Sequence, residues 1–481
     1  MSILRALSGS VIGGVSSILV NFLTVVLASR YLQPADVGAY AVSFTFITVV
    51  SLLAEANAQN YIIKSINADV EMISSIKGIL WLHIIFFITV VLIFLDEISY
   101  VLAGADSKKV SGIVILMLPI LVAIPVASPE LGVLRGKMKY GPIMLSGVAS
   151  SFSRLIFCFY LLQEGYGVLA LVLSVIFSKI VEVFVVILFL PDYLILIPRF
   201  VGIKKIYSFL LPTTISQAAG TVGFAVSEIA SGHYLGLHAA GLFNRANALT
   251  SIYRTAIERA VVPIYYANLA HLLSTSPREA TKNYVTTQNI MSGVGWSVFG
   301  FLYVQAGSFV EIFFGPNWKD AVVAVKILSI ACAIYILCAM TSSVLMALDE
   351  KRVMIFRELL IQSFRVIIVI WSTKYGIEGV ATAVLFTYAM TALFDLITMQ
   401  KFLKLKISDF FVSLLPSFFV STTVVLCVCV SEFFCEYFQI SLNVGFAINL
   451  VVFFVLWVTC IFLFKHGAAS YVMVVFQKIR K

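Results

Sequence analysis

The sequence has little charge and lacks the motifs of nucleotide, metal and disulfide chemistry. Of its 481 residues, 12% are charged and 61% are hydrophobic, whereas a soluble domain has roughly 25% charged and 45–50% apolar residues. None of the seven cysteines forms a Cys-x-x-Cys pair or has a histidine at metal-ligand spacing, which favours cysteines as apolar fillers over a redox or metal site. Neither Gly-x-x-x-x-Gly-Lys nor Gly-x-Gly-x-x-Gly occurs, so we expect no cofactor and no nucleotide hydrolysis on this chain.

What the sequence does contain is a series of long apolar runs. A run of about 20 apolar residues spans a bilayer core of about 30 Å, where only helices or closed barrels satisfy the backbone. The runs are too uniformly apolar for barrel strands, which alternate over about ten residues. The sequence therefore predicts an all-α polytopic membrane protein, with an uncleaved first helix rather than a signal peptide. Fourteen spans are predicted, near residues 9–29, 39–62, 78–96, 110–134, 142–162, 167–190, 208–231, 239–266, 285–305, 321–347, 353–373, 377–399, 410–431 and 443–464.

Basic residues are distributed unevenly between alternate loops. The loops on one side, together with the two ends of the chain, hold most of them, as in the cluster Arg135, Lys137 and Lys139. Lys77 and Arg357 are assigned to the same side. Because Lys and Arg concentrate in cytoplasmic loops, we expect both termini in the cytoplasm of a bacterium, with the chain in its inner membrane. The net charge of +9 then requires no nucleic-acid partner.

The chain also contains an internal repeat. The segment "ASRYLQPADVGAYAVSF" (28–44) is echoed by "ASGHYLGLHAAGLFNRAN" (230–247), so that Gly38 corresponds to Gly241 at an offset of 203. Later landmarks recur in the same order at offsets of 211 to 214. Since each block contains an even number of spans, the blocks enter the membrane the same way round, as in transporters with parallel repeats and a substrate site between the halves. The predicted parts are two six-helix lobes, 1–205 and 206–405, and two appended helices with a cytoplasmic tail, 406–481.

Ionisable residues inside the spans are the candidate functional residues. A charge at mid-membrane costs about 2.5–3.5 kcal/mol on insertion scales and usually faces a wet cavity or a partner. Several candidates occupy equivalent positions in the two blocks, which suits a cavity lined by both. These pairs are Glu55 with Glu258, Arg154 with Arg365 and, more loosely, Glu182 with Asp395.

Most of these charges also have a structural interpretation. Arg154 is too deep to snorkel and either faces a cavity or forms a salt bridge with a neighbouring helix. Glu228 lies near the outer end of its span, where a carboxylate is tolerated. Lys179 lies three residues from Glu182 and is expected to pair with it, and Lys326 is expected to snorkel.

The eighth span carries four charged residues and is predicted to be a cavity wall. Arg254 and Glu258 lie four residues apart, so they can pair on one helix face. Arg245 and Arg259 belong to the same helix.

Four segments resemble one known family. "YLQPADVGAYAVSF" after the first helix, "GLFNRANAL" opening the eighth, Pro263 near the end of that helix and "FFGPNWKDA" before the tenth are similar to the polysaccharide transporter family. These are the Wzx-type flippases of the multidrug/oligosaccharidyl-lipid/polysaccharide (MOP) exporter superfamily. The resemblance covers essentially the whole chain. It implies the architecture of MATE and MurJ transporters, a cavity lined by helices 1, 2, 7 and 8, and transport of an undecaprenyl-pyrophosphate-linked oligosaccharide to the outer leaflet.

A diphosphate substrate then assigns roles to the buried charges. Arginine binds phosphate oxygens through its planar, bidentate fork, and a desolvated carboxylate can hold a coupling proton or Na⁺. Membrane lipids and a polymerase or ligase of the same pathway are the expected partners. Tyr31, Tyr265 and Tyr266 serve equally as sugar-stacking or interface residues. The predicted substrate-binding residues are Arg154, Arg245, Arg254, Arg259, Arg365 and Tyr253, and the coupling-ion candidates are Glu55, Glu258 and Glu228.

Three alternative functions compete with this hypothesis. A lipid II flippase has the same number of helices and a cationic cavity. A multidrug antiporter shares the fold, but its cationic substrates would be repelled by arginines. A polymerase or ligase acting on the same glycan needs a large outer loop with catalytic groups, whereas the predicted outer loops run roughly 5–15 residues, so we expect no enzyme activity.

Overall fold

The computed structural model describes residues 2–65, 70–191, 198–464 and 466–469, with side chains described except at 2–13, 15, 212, 216, 258–260, 263–264, 267, 274 and 338. Within these residues the chain is helical and has no strand, which agrees with the all-α prediction. The helices are α1 (Ser2–Tyr31), α2 (Pro34–Glu55), α3 (Ala58–Lys64), α4 (Val70–Ile93), α5 (Leu95–Ala103), α6 (Ser107–Met117), α7 (Pro119–Val122), α8 (Ile124–Gly136), α9 (Tyr140–Gln163), α10 (Leu169–Phe189), α11 (Ile203–Ala230), α12 (Leu237–Ala260), α13 (Val262–Thr275), α14 (Pro277–Val304), α15 (Ala306–Phe309), α16 (Val322–Tyr335), α17 (Thr341–Ala347), α18 (Lys351–Ser372), α19 (Gly376–Leu403), α20 (Ile407–Tyr437) and α21 (Leu442–Leu463). Shorter 3₁₀ or π segments lie at Gly104–Asp106, Ser231–Leu235, Val310–Phe314, Pro316–Ala321, Ile336–Cys338 and Thr373–Tyr375.

Helices coincide with all fourteen predicted spans, but several of them are interrupted. Among the described residues, seven helices are long and apolar enough to cross a membrane, or up to nine if each bent pair counts as one span. Prolines mark some interruptions: Pro119 stands at the start of α7, and Pro263 stands at the start of α13. Proline lacks an N–H and fits the first turn of a helix better than its interior. The count of fourteen membrane spans stays a prediction.

The two glycines of the repeated motif meet where α2 crosses α12. A Cβ atom added to Gly38 would lie 1.8 Å from the carbonyl oxygen of Leu237, and one added to Gly241 would lie 1.9 Å from that of Pro34. Leu237 follows Pro34 by the same 203 residues that separate the glycines, so the contact is reciprocal, as in a two-fold interface. The motif is therefore repeated because each copy supplies one side of a close backbone approach.

The described residues pack into two compact units, which divide the chain within α12. Unit 1 lies within Met1–Arg245 and Val366–Val380, and unit 2 within Ala246–Arg365 and Ala381–Lys481. This division by contacts does not test the three parts predicted from the sequence, and those boundaries stay a prediction. The predicted tail lies outside the described residues from 470 onward.

Each unit has its own apolar core. In unit 1, Ile76 of α4, Leu134 of α8 and Ile206 of α11 belong to one buried cluster. In unit 2, Phe301 of α14 packs with Val424 of α20 and Phe453 of α21. These cores fix the helices that carry the polar side chains described below.

Candidate functional site

A partly buried polar cluster lies inside unit 1 and contains three of the predicted site residues. Arg154, near the middle of α9, donates hydrogen bonds to the hydroxyl of Tyr40 at 2.9 Å and to Oδ1 of Asn21 at 3.4 Å. Arg154 lies 14 residues into its helix, about 21 Å at 1.5 Å per residue. Within the described residues its guanidinium is bonded to neutral groups and not to a carboxylate, which argues against the salt bridge. A position facing a cavity stays a prediction.

The second half of this cluster surrounds Glu228 of α11. The Thr45 hydroxyl donates to Glu228 Oε2 at 2.5 Å, and the Asn244 side-chain amide donates to Oε1. Arg245, which is 4% exposed, donates from Nη1 to Asn244 Oδ1 at 3.0 Å. Asn244 thus links the carboxylate to the guanidinium, and the charge of Arg245 interacts with those of Glu228 and Arg154. Two cations and one anion share this site, so its ionised side chains carry a net positive charge.

Sequence reasoning missed the uncharged members of the cluster. Tyr40 follows the repeated glycine Gly38 by two residues, and Asn244 lies within the segment "GLFNRANAL". Asn21 and Thr45 have no comparable signal, because polar side chains of this size occur on many apolar helices. Only the rotation of the helices shows that these residues face the arginines.

Two further predicted arginines lie together in unit 2. The guanidinium carbon of Arg365 lies 5.1 Å from the ring centre of Tyr388, and Arg365 is 2% exposed. Arg254 and Arg365 both interact electrostatically with Tyr388 and with Cys332. An arginine above an aromatic face makes a cation–π contact. Unit 2 therefore has a second buried cationic group, built from α12, α16, α18 and α19.

The remaining predicted residues are dispersed. Glu55, at the end of α2, accepts hydrogen bonds from Ser128 at 2.8 Å and Gln59 at 2.7 Å, in a network apart from the hydrogen bonds of Glu228. The Tyr253 hydroxyl donates to the Met291 carbonyl at 2.8 Å, and its ring meets that of Phe299 edge-on, with ring centres 5.4 Å apart. The side chains of Glu258 and Arg259 lie outside those that the structure describes, so their proposed pairing and roles stay predictions.

Other charges form ion pairs away from the cluster. Lys179 and Glu182 pair at 2.5 Å, as predicted. Asp395 occupies the position in the second block that was matched loosely with Glu182. It forms an ion pair with Arg357, with Nε–Oδ1 and Nη2–Oδ2 distances of 2.6 and 2.7 Å. Arg357 is 6% exposed, so its assignment to a solvated loop was wrong. Arg357 also pairs with Glu358, at 2.5 Å, so the two basic side chains, Lys179 and Arg357, both lie against carboxylates.

Lys77 shows the same error of assignment. Its ammonium lies 2.6 Å from Glu130 Oε1, and the two side chains are 4% and 1% exposed. Both residues lie inside helices, α4 and α8, and not in a loop. Proximity to a predicted span boundary placed Lys77 outside the membrane, whereas the helix begins seven residues earlier, at Val70.

A cavity of about 770 Å³ lies between the ends of α3, α4 and α11, lined by Lys64, Glu71, Lys205 and Phe209 among others. The predicted substrate-binding and coupling residues are not among the residues that line it. Its open, exposed position distinguishes it from the partly buried cluster around Arg154.

Comparison with known proteins identifies the family and the fold. Residues 26–323 match the family described as "Polysaccharide biosynthesis protein". The succinoglycan biosynthesis transport protein ExoT of Rhizobium meliloti (strain 1021) is 20% identical over 344 residues, which cover 70% of this chain and 68% of that protein.

Solved structures of two kinds of transporter share the fold. The lipid II flippase MurJ, in an inward closed conformation, matches with a TM-score of 0.75 at 13% identity, over 96% of this chain and 99% of that one. An inward-facing multidrug resistance MATE family transporter of the MOP superfamily matches with a TM-score of 0.67 at 16% identity, over 81% and 95%. These likenesses confirm the predicted MATE- and MurJ-like architecture. The chain is a member of the polysaccharide biosynthesis protein family, with the fold of the MOP-superfamily transporters.

Proposed function

We propose that this protein is a flippase for undecaprenyl-pyrophosphate-linked oligosaccharide repeat units. It carries them from the cytoplasmic to the outer leaflet of the bacterial inner membrane during synthesis of a surface polysaccharide, such as O-antigen, capsule or exopolysaccharide. The polar head group crosses through the interior by alternating access, while the lipid tail stays in the bilayer. A polymerase or ligase of the same pathway then receives the flipped unit.

The observation that carries this proposal is the net positive charge of the cluster in unit 1. Arg154 and Arg245 lie within one polar network that contains a single carboxylate, Glu228. A diphosphate needs cations where water is scarce, and guanidinium groups bind its oxygens bidentately. The neutral oxygen atoms of Tyr40 and Asn21 accept hydrogen bonds from Arg154 and hold its side chain in place without neutralising its charge. The positive charge of Arg154 is not neutralised by a hydrogen-bonded carboxylate. It is therefore available to a phosphate group of the substrate.

Glu228 is the best candidate for the residue that binds a coupling ion in this scheme. It accepts hydrogen bonds from Thr45 and Asn244, the arrangement that suits an ionised carboxylate. Protonation would release the Thr45 hydroxyl and remove the anion that offsets Arg245. Proton binding at Glu228 would therefore change the charge presented to the substrate. Glu55 is bonded to Gln59 and Ser128 instead and has no arginine among those hydrogen-bond partners.

A lipid II flippase is the second candidate, because the fold matches that of MurJ over 96% of the chain. The substrate would again carry a diphosphate, so the same arginines would serve. A cation-exporting antiporter is disfavoured, since the net positive charge of the cluster in unit 1 would repel a positively charged substrate.

The test is glycan export in a deletion strain complemented with variants. We expect loss of the protein to trap the complete pyrophosphate-linked repeat unit on the cytoplasmic face, and the wild type to relieve this block. Arg154→Ala should lower export about 10- to 100-fold, because a charge-assisted hydrogen bond is worth about 1.5–3 kcal/mol. Arg154→Lys should retain part of the activity, since it keeps the charge but not the fork.

Controls separate transport from folding. Arg199→Ala removes an exposed arginine whose ion pair with Glu71 spans 3.3 Å, and it should export like the wild type. Glu228→Gln keeps an acceptor for Thr45 but cannot bind a proton, so its export should lose its response to a protonophore. Wild-type export by Arg154→Ala at equal membrane levels would contradict the proposal. A change in resistance to cationic dyes without glycan accumulation would favour the antiporter.

A further inference from the structure

A second group of polar side chains lies in unit 2, where the two C-terminal helices pack against α14. The Gln305 amide donates from Nε2 to Glu432 Oε2 at 2.8 Å, and the Asn449 amide donates from Nδ2 to the same oxygen. Gln305 and Asn449 are 0% exposed, while Glu432 is half-buried. Three helical elements thus converge on one carboxylate.

Both amides leave their carbonyl oxygens unsatisfied. Gln305 Oε1 and Asn449 Oδ1 are buried and have no hydrogen-bond partner among the described residues. A buried acceptor without a partner costs roughly 1–3 kcal/mol, and such groups are few in folded proteins. Both oxygens belong to amides whose NH₂ groups already reach Glu432, so one bond rotation in each side chain brings an oxygen to the carboxylate.

The charge of Glu432 is also uncompensated. Within the described part of the chain it has no lysine or arginine partner, and the two amides are its hydrogen-bond donors. Glu432 lies five residues before the end of α20, and Asn449 lies seven residues into α21, which places them about 8–10 Å from the helix ends. Both helices are long and apolar enough to span a membrane. An intramembrane carboxylate of this kind is a functional-site candidate.

The backbone at Gln305 is irregular. Gln305 lies between α14 and α15, where the helical axis turns by 77°, and the π-helical segment Val310–Phe314 follows. Broken helices at membrane depth are where transporters bind ions, and π segments are frequent at functional sites. Phe301, Val428 and Phe453 belong to one apolar cluster. Each lies four residues, or about one helical turn, from one of the three polar residues.

We propose that Glu432, Gln305 and Asn449 form a Na⁺ site that fastens the two C-terminal helices to α14. A half-turn of each amide exchanges its NH₂ group for its carbonyl oxygen, so that the carboxylate and both amide oxygens face one cation. The two NH₂ groups then take the buried positions that the oxygens hold now, and the bound cation offsets the cost of leaving them unpaired. Oxygen ligands suit hard cations, and a single carboxylate matches a single positive charge. The site is separate from the arginine cluster and does not depend on the proposed transport function.

The test measures thermal unfolding of the purified full-length protein in detergent, in NaCl or in choline chloride at equal ionic strength. A ligand that binds only the folded state raises its stability as the ligand concentration rises. We expect Na⁺ to raise the Tm of the wild type by about 2 °C or more, saturably, and choline to have no such effect. Glu432→Gln should lose the Na⁺ response, because it keeps an amide-bonding oxygen but not the charge. Glu436→Gln, an exposed position on the same helix, should keep it.

A second variant tests the site if Glu432→Gln does not fold. Asn449→Asp adds a second carboxylate, so it should shift the response from Na⁺ towards Ca²⁺. Equal responses to Na⁺ and choline in the wild type would overturn the proposal, as would a full Na⁺ response in Glu432→Gln. A stability that depends on pH but not on Na⁺ would assign the oxygens to a proton and would also overturn it.

Discussion

Single residues in this protein balance charge inside an apolar bundle. Lys77 pairs with Glu130 between α4 and α8, and Arg357 pairs with Asp395 between α18 and α19. Each pair joins consecutive or neighbouring spans and buries both partners. Separating the partners leaves an isolated charge, which is far more costly than losing the contact itself.

Asp395→Ala should therefore destabilise the protein strongly. Removal of one partner from a buried pair costs about 3–5 kcal/mol, and we expect a clear fall in Tm of the purified protein. Arg357 also pairs with Glu358, at 2.5 Å, so the triple variant Arg357→Met/Glu358→Gln/Asp395→Leu should recover most of that loss, because it leaves no unpaired charge at the site. Glu71→Ala, which breaks an exposed pair, should change the Tm little. An unchanged Tm in Asp395→Ala would show that the pair is dispensable.

His466, which follows α21, anchors the end of the described chain. The Ala468 amide donates to Nδ1 at 3.1 Å, so Nε2 carries the proton and donates to Ser417 Oγ at 2.9 Å. Ser417 in turn donates to the Asn289 carbonyl at 2.9 Å. Burial lowers the pKa of His466, opposed in part by a backbone hydrogen bond with Asn289. This relay requires the neutral imidazole.

Acid should weaken this anchor. The folded state binds its proton less readily than the unfolded chain, so the contribution of His466 is present above the unfolded pKa of about 6.5. It is lost as the pH falls below that value, because a proton on Nδ1 would face the Ala468 N–H. We expect the Tm difference between the wild type and His466→Gln to shrink between pH 8 and pH 5.5. A difference that does not vary with pH would count against the neutral relay.

At the scale of elements, helix crossings depend on small residues. Gly38 and Gly241 let α2 and α12 approach until the backbone of one helix touches that of the other. Side chains at these positions would meet carbonyl oxygens, which cannot rotate away. Small residues allow the same close approach in other membrane helices.

Gly38→Ala and Gly241→Ala should each separate the two helices. Overpacking of this kind costs about 1–3 kcal/mol, so we expect a lower Tm in both variants, by similar amounts because the contact is reciprocal. Gly112→Ala, in α6, has open space around its Cβ and should be neutral or stabilising, since alanine favours helices. Thermal stability equal to the wild type in both crossing variants would refute the close contact.

At the scale of the whole molecule, the sequence predicted the class, the helices and the repeat, but not how the helices are rotated. Hydrophobicity runs almost all round these helices, so no apolar stripe indicates which face is buried. Arg154, Arg245 and Glu228 could be found because charge is rare in spans, whereas Tyr40 and Asn244 could not. The loop assignments failed at Lys77, one residue outside its predicted span, and at Arg357, four residues inside its own, because both residues lie near helix ends, where basic side chains were assigned to loops.

The orientation of the chain follows from charge alone and is open to direct test. We expect both termini and the 137–139 loop in the cytoplasm, and the 164–168 loop outside, because Lys and Arg concentrate inside. A reporter that fluoresces only in the cytoplasm should give a signal at both termini and in the 137–139 loop. A phosphatase that is active only in the periplasm should give activity in the 164–168 loop. The opposite pattern would invert the proposed direction of transport.

The reciprocal crossing of Gly38 and Gly241 has a genetic consequence. In a symmetric dimer of half-length chains, one glycine codon would specify both sides of this crossing. A mutation in that codon would therefore change both helices at once. In the joined chain two codons specify it. A change in one glycine codon therefore alters only one side of the crossing, while the other side keeps its glycine.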